Sequence, residues 1–487
     1  MPLILPGNVA SATASTTYDV DNSCRFNKAD TPSMTKDNGT PSSETTGTIS
    51  FWTKRCILSV GDEFVLDGRI DANNRFKFAF NSSDIMEFWN SNGGSDDLNL
   101  NSNRKFRDVS AWYHFVIRID TTQSTAADRV RVYVNGVNEA DVGGYSTETY
   151  PDEDSTDTVF FENSAKQTVG AYYNGSAFTY PYDGYLAEVV YCDGQSYAPT
   201  EFGEFDSDSP TIWKPKNVSG LTFGNNGFYL DFGNSADLGA DVSGNSNDFT
   251  SANLDATDQA TDTPTNNFCT LNPLAFASEG TLSEGNCDIV TGSSERGLWN
   301  GTFGLTKGKW YFEMKVIVEA NEWEGIGISD TPSYDSTEYL GISANQWGYY
   351  GHDASSEDGK IVNDGASTEA GEGFHADDIV GCYMDLDNNK LYWAVNGVII
   401  LSGVGVATTA PASVLNGHYF PSVGEWSGST SGQMALNFGG CAAFTVSSAN
   451  QDANGYGNFE YDPSSGTFDS ASKDFLAICS KNLGSDG

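Results

Sequence analysis

Basic residues, histidine and proline are all scarce in this chain. Its 487 residues include 25 lysines and arginines, 4 histidines and 15 prolines, against 66 aspartates and glutamates. The formal charge of −41 repels phosphate backbones and anionic membranes, so nucleic-acid binding and membrane insertion are excluded as expectations. A solvated acidic surface, a life in high salt, and divalent-cation binding are all consistent with that charge. No apolar run approaches a membrane span. Met1-Pro2-Leu3-Ile4-Leu5-Pro6 is too short and uncharged for a secretory signal, so folding in a cytoplasm is expected. The eight cysteines form no C-x-x-C pair. Cys192 and Cys382 sit where small hydrophobes would, and they read as buried free thiols.

Long amphipathic helical windows are also missing. What fills their place is β-structure, with 13% aromatics and 52 glycines. One strand–turn–strand phrase occurs twice. Trp112 to Asp120 leads into Arg129 to Val137, and Ile379 to Asp387 leads into Leu391 to Val398. Each copy ends at an Asn-Gly pair, Asn135-Gly136 and Asn396-Gly397. That pair suits a two-residue hairpin turn needing positive φ at both centres. The alternation Phe76, Phe78, Phe80 marks a half-buried strand. The expected fold class is all-β, with two β-sandwiches.

The expected organisation is a sandwich over 1–200, an ordered connector with short strands over 201–274, a second sandwich over 275–440, and a tail over 441–487. The tail's apolar patch, Phe475 to Ile478, is expected to dock back on the body.

Catalytic patterns are sparse. A sandwich glycosidase places paired carboxylates on one apolar strand, as Glu-x-Asp-x-x-Glu. The nearest string here, Glu204-Phe205-Asp206-Ser207-Asp208, lacks the last Glu and lies in a polar stretch. No H-E-x-x-H occurs, and no helix follows Gly325-x-Gly327 to make a phosphate cradle. His114 reads as structural. A non-enzyme is expected.

No cofactor is required by the sequence, but calcium would suit two oxygen-rich loops. These are Asp241, Ser243, Asn245 and Asp248 around a glycine corner, and the acidic cluster with Asp152 and Asp154. Ordinary turns are the competing reading. Ligand-binding aromatics are expected at sandwich rims: Tyr145, Tyr150, Tyr172 and Tyr173 in the first module, and Trp323, Tyr334, Tyr350 and Trp426 in the second. Trp52, Trp112, Trp310, Trp347 and Trp393 are assigned to the core.

The second module resembles a SPRY domain through Gly308-Lys309-Trp310-Tyr311-Phe312-Glu313, Gly325-Ile326-Gly327, Trp347-Gly348-Tyr349, Asp378 to Cys382, Asp385-Leu386-Asp387 and Val395-Asn396-Gly397. The first resembles a laminin-G-like domain of the concanavalin A superfamily through Phe51-Trp52, Ala111 to His114, Tyr133 to Gly136 and Asp183-Gly184-Tyr185. Both resemblances imply jelly-roll sandwiches. With Trp213-Lys214-Pro215, Gly227 to Phe232 and Asp262 to Asn267, the tandem resembles structural proteins of tailed, especially marine, bacteriophages. That resemblance implies a virion component assembled in the host bacterial cytoplasm, such as a tail fibre or other appendage. Its implied partners are other virion proteins, further copies of itself (a trimer by analogy) and host-surface glycan or protein. A capsid-surface or tail protein making only protein contacts is the alternative, and a polysaccharide depolymerase is a third reading.

Overall fold

The computed structural model describes residues 18–276, 280–293, 296–319, 323–331, 338–351, 358–426, 430–469 and 474–486. The described chain divides into two compact units, one ending at Thr265 and the other beginning at Asn266. Both are built from antiparallel sheets, and the fold is nearly all-β. No helix among the described residues is long and apolar enough to cross a membrane.

In the first unit one eight-stranded sheet runs Val137–Asn138, Val130–Val134, Tyr113–Asp120, Thr46–Arg55, Gly184–Asp193, Ser23–Phe26, Gln259–Ala260, with Phe228–Leu230 also on Gly184–Asp193. The other runs Tyr145–Thr149, Ser95–Lys105, Ile85–Asn92, Arg75–Phe80, Glu63–Arg69, Lys166–Val169, Ser33–Asp37, Thr250–Ala252. Period-2 alternation turns one face of each sheet inward. Phe51 of the first sheet meets Phe78 of the second edge-on at 5.1 Å, and Phe78 meets Phe115 at 5.1 Å.

The stretch read as a connector does not stand apart from this sandwich. Up to residue 265 it belongs to the first unit. Its short strands Phe228–Leu230, Thr250–Ala252 and Gln259–Ala260 complete both sheets. The Lys54 ammonium and the Trp112 indole N–H both reach the buried carboxylate of Asp262, at 2.7 and 3.1 Å.

The second unit has a seven-stranded sheet in the order Leu271–Phe276, Gly297–Gly301, Phe420–Glu425, Glu324–Ser329, Gln346–Tyr350, Lys360–Asn363, Ala366–Glu369. It packs on a nine-stranded sheet centred on Lys309–Val318 and Ile379–Asp385. Trp393 crosses between them, its indole N–H donating to the Ile326 carbonyl at 3.0 Å. The tail joins the larger sheet, with Leu476–Ala477 pairing in parallel with Lys309–Val318. Glu313 anchors it further, accepting from Tyr311 Oη, Asn437 Nδ2 and the amides of Glu460 and Tyr461.

Both Asn-Gly corners have the expected positive φ: 50° and 78° at Asn135 and Gly136, 48° and 77° at Asn396 and Gly397. All eight cysteines are buried. The five tryptophans assigned to the core are buried.

Candidate recognition surfaces

Because Phe76, Phe78 and Phe80 point inward, Arg75 and Lys77 leave the same strand on the opposite, outer face. Register then builds a row across six strands: Thr168, Asp67, Lys77, Trp89, Asn99 and Thr149 lie side by side. At a typical strand spacing this row is about 24 Å long. Lys77 Nζ is held by Asp62 at 2.9 Å and Glu87 at 2.6 Å. The Arg75 guanidinium lies over Trp89 at 5.2 Å and Tyr172 at 4.1 Å. Tyr172 stacks on Phe64 at 5.1 Å, and the Tyr173 amide donates to Asp67 Oδ2 at 3.2 Å.

Five polar atoms on this face have no hydrogen-bond partner among the described residues: Asp67 Oδ1, Thr168 Oγ1, Arg75 Nε, Asn99 Oδ1 and Asn101 Oδ1. Each unpaired buried polar atom costs desolvation free energy. Burial pushes Asp67 up to about 7. Trp89, Tyr172 and Tyr173 are half-buried, so their rings remain partly open to solvent. The face combines the half-buried rings of Trp89, Tyr172 and Tyr173 with polar atoms that are themselves buried, those of Asp67 and Thr168 completely.

Tyr172 and Tyr173 therefore sit on this surface, but Tyr145 and Tyr150 do not. Those two pack against the core of the first unit, at its edge strand Tyr145–Thr149. Tyr145 pairs opposite Ser102, which places it on the inward face. Tyr150 donates to Glu148 at 2.8 Å.

The first oxygen-rich loop spends its oxygens locally. Asp241 accepts from the amides of Tyr229, Ser243 and Asn247 and from the Ser243 hydroxyl. Asn245 Nδ2 donates to the carbonyls of Gly224 and Gly227, and Asp248 accepts the Asp241 amide. Asp152 and Asp154 lie in an exposed turn closed by Ser155 N to Asp152 O and Asp154 N to Thr121 O. Among the described residues no three histidine, cysteine or acidic side chains converge as metal ligands. An open cleft of about 580 Å³ lies beside the first loop, lined by Asp237, Asp248, Phe249, Ser251 and Asp255 among others.

In the second unit Trp323, Tyr350 and Trp426 come together on the outer face of the seven-stranded sheet. Trp426 meets Trp323 at 4.5 Å and stacks on Tyr339 at 4.8 Å. Tyr350 is buried, its hydroxyl donating to the Leu340 carbonyl at 2.7 Å. Tyr334 lies outside the described residues.

The groups nearest to catalytic patterns are occupied structurally. Asp206 accepts the amides of Ser209 and Asp208 and binds Lys214, and it is held below the usual carboxylate range chiefly by the Ser209 amide. His114 is buried between Ser50 and Trp213, and burial lowers it to about 3.

Trp89, Asp67, Asn99 and Thr168 carry no sequence motif. The polar positions alternating with Phe76, Phe78 and Phe80 were the one available signal of this face.

A laminin-G-like profile described as the concanavalin A-like lectin/glucanases superfamily matches residues 28–194. A SPRY-domain profile matches residues 309–435. Ran-binding protein 9 of Danio rerio is 29% identical over 118 residues, which is 24% of this chain. The chain spans 18% of the length of that relative. Among solved structures, the SPRY domain of human HERC1 aligns with 36% of this chain and 99% of its own, at 16% identity and a TM-score of 0.29. The heptameric SAP-like pentraxin from Limulus polyphemus aligns with 36% of this chain and 78% of its own, at 13% identity and a TM-score of 0.27. Laminin-G-like and SPRY domains are typically non-catalytic binding modules. This protein carries a laminin-G-like domain of the concanavalin A-like superfamily followed by a SPRY domain.

Proposed function

We propose that this chain is a non-catalytic recognition protein of a tailed-bacteriophage virion, a tail fibre or other surface appendage that binds host-surface glycan. The observation that carries the glycan reading is the cluster of half-buried rings, Trp89, Tyr172 and Tyr173, among polar side chains on the outer face of the first unit. Sugar hydroxyls both donate and accept, and aromatic rings supply apolar area for their C–H faces. The virion reading rests on the sequence phrases of the tandem and on its acidic, salt-tolerant composition. In that setting the chain assembles with copies of itself and with other virion proteins.

Purified full-length protein on an array of bacterial surface polysaccharides tests the binding. Retention of particular glycans through washing is expected. Absence of retention on every glycan overturns the glycan reading, and release of reducing sugar overturns the non-catalytic one. Antibody-decorated virions in negative stain test the location, and unlabelled particles sink the virion reading. A purely structural role is favoured by the half-buried pair Trp323 and Trp426, a common kind of protein-interface anchor. It predicts stable higher-order assembly without glycan retention.

A further inference from the structure

Two residues along the strands from Thr168, Asp67 and Lys77, the register sets Lys166, Arg69 and Arg75 side by side on three adjacent strands. Side chains two residues apart leave the same face of a sheet, so all three cations stand on the outer face with Trp89. The two rows are about 7 Å apart. Beyond the cations, the second row ends in Asp37 on one side and in Ser91 and Asp96 on the other.

This grouping runs against both composition and sheet energetics. Acidic residues outnumber basic ones 66 to 25 in the chain. Like charges directly opposite on neighbouring strands destabilise a sheet, and Arg69 faces a cation on each side. Nearby carboxylates offset this only in part. Lys166 pairs with Asp37 at 2.7 Å, but that carboxylate is 68% exposed, where an ion pair contributes little. Arg75 approaches Asp67 only to 4.0 Å, and burial pushes that carboxyl up to about 7, so at neutral pH it carries part of a charge. Arg69, in the middle, is half-buried and has no ion pair or side-chain hydrogen bond among the described residues. Asp71, at the neighbouring corner, is engaged by the amides of Asn73 and Asn74 and by Asn74 Nδ2. Aromatic rings flank the cations. The Arg75 guanidinium lies over Trp89 and Tyr172, and the Lys166 ammonium is 5.7 Å from the centre of the Tyr173 ring. A guanidinium stacked on rings keeps its in-plane N–H groups available to an oxyanion.

We propose that the glycan bound on this face is anionic, with a carboxylate or phosphate group seated on Arg69 between Arg75 and Lys166. The inference rests on the glycan reading of the face and adds the charge class of the ligand. A guanidinium fork matches carboxylate and phosphate with two parallel N–H bonds. The net charge of the chain opposes such a ligand at long range, but at about 0.15 M salt the Debye length is about 8 Å. An oxyanion in contact with the row is therefore governed by these cations, while distant acids are screened.

Calorimetric titration of the full-length protein uses three soluble probes: a polyuronate, the same polymer after carboxyl reduction to neutral sugars, and a phosphodiester-linked glycan. The wild type should bind one of the anionic probes at least about tenfold more tightly than the neutral polymer, the loss expected when a charge-assisted contact is removed. The preferred probe identifies the group. Raising salt should weaken the anionic binding and spare the neutral. Arg69→Gln should weaken binding of the preferred probe about tenfold and Lys166→Gln about threefold, since exposed lysine contributes less. Arg131→Gln, which removes a cation from the other sheet, should change neither. Equal affinity for neutral and anionic probes, or an anionic preference that both Arg69→Gln and Lys166→Gln leave intact, overturns the anionic class and leaves the glycan reading standing. Binding of none of the probes also overturns it, and the glycan reading falls with it only if the polysaccharide array is blank as well.

Discussion

Trp213 donates its indole N–H to His114 Nδ1 at 2.9 Å inside the first unit. With Nδ1 accepting, the ring's own hydrogen sits on Nε2 and faces the Ser50 hydroxyl at 2.8 Å. The imidazole also stacks on Trp52 at 4.4 Å. This histidine is a neutral, fixed hydrogen-bonding bridge, not a general base.

Its protonation behaviour follows from that bridge. Burial holds His114 at about 3, well below the ordinary histidine value. Below about pH 6.5 the unfolded chain takes up a proton that the folded chain refuses until near its lowered value. Stability from this residue is therefore fully present above about 6.5 and is lost as pH falls towards 3. The slope is about 1.4 kcal/mol per pH unit. In NMR spectra the His114 ring resonances should stay flat from pH 8 to pH 4, and a midpoint near 6 would refute the bridge.

Binding on the outer face should depend on Trp89 and Asn99. Trp89 is half-buried and Asn99 Oδ1 has no hydrogen-bond partner among the described residues, so truncation removes contact without opening the core. Trp89→Ala is expected to weaken binding of an array-identified glycan about 30-fold, the ~2 kcal/mol typical of an aromatic anchor. Asn99→Ala should cost about 1 kcal/mol. Tyr150→Phe, on the core side, should change affinity little. Calorimetric titration of the three variants checks the ranking.

Parts of this architecture were legible in the sequence for local reasons. Asn135-Gly136 and Asn396-Gly397 announce hairpins because few other dipeptides tolerate two positive φ angles. Phe76, Phe78 and Phe80 announce a buried face because strand periodicity is intrinsic to the chain. The outer row was not legible, since Asp67, Lys77, Trp89 and Asn99 become neighbours only through pairing of four strands. Tyr145 and Tyr150 illustrate the same limit: one step of register decides whether an edge-strand residue faces core or solvent. Residues 201–265 lack strand-length runs of their own. Their three-residue strands are defined by partners such as Ser33–Asp37, more than two hundred positions earlier.

Asp67 makes the first unit sensitive to alkaline conditions. Its carboxyl is fully buried, and desolvation pushes it up to about 7 against the opposing Tyr173 amide. A raised carboxyl contributes stability that is complete below its unfolded value near 4 and is lost as pH rises through 7. Asp67→Asn keeps an acceptor for the Tyr173 amide and removes the ionisation. The variant should equal the wild type at pH 4 and exceed it by on the order of 1–3 kcal/mol at pH 8. Urea unfolding at both pH values checks this, and a wild type that gains relative to the variant as pH rises would contradict it.

Gly136 carries two separable demands, and a mutant cycle can divide them. Its φ of 78° lies in the left-handed region, and a Cβ there would stand 2.3 Å from the Trp213 ring. Left-handed strain at a non-glycine residue costs about 1–3 kcal/mol, whereas the steric cost exists only while the ring is present. Gly136→Ala is therefore expected to destabilise the wild type by about 2–4 kcal/mol, adding an overpacking cost. In a Trp213→Ala background the same substitution should cost only about 1–2 kcal/mol, the conformational part. Gly397 offers an internal replicate in the second unit, with φ of 77° and the Tyr461 ring 2.5 Å from a built Cβ. There the ring lies on the docked tail, so Gly397→Ala should also loosen the tail and speed its proteolysis. Equal costs of Gly136→Ala in the two backgrounds would mean that the ring yields freely, and that backbone conformation alone makes glycine necessary at the corner.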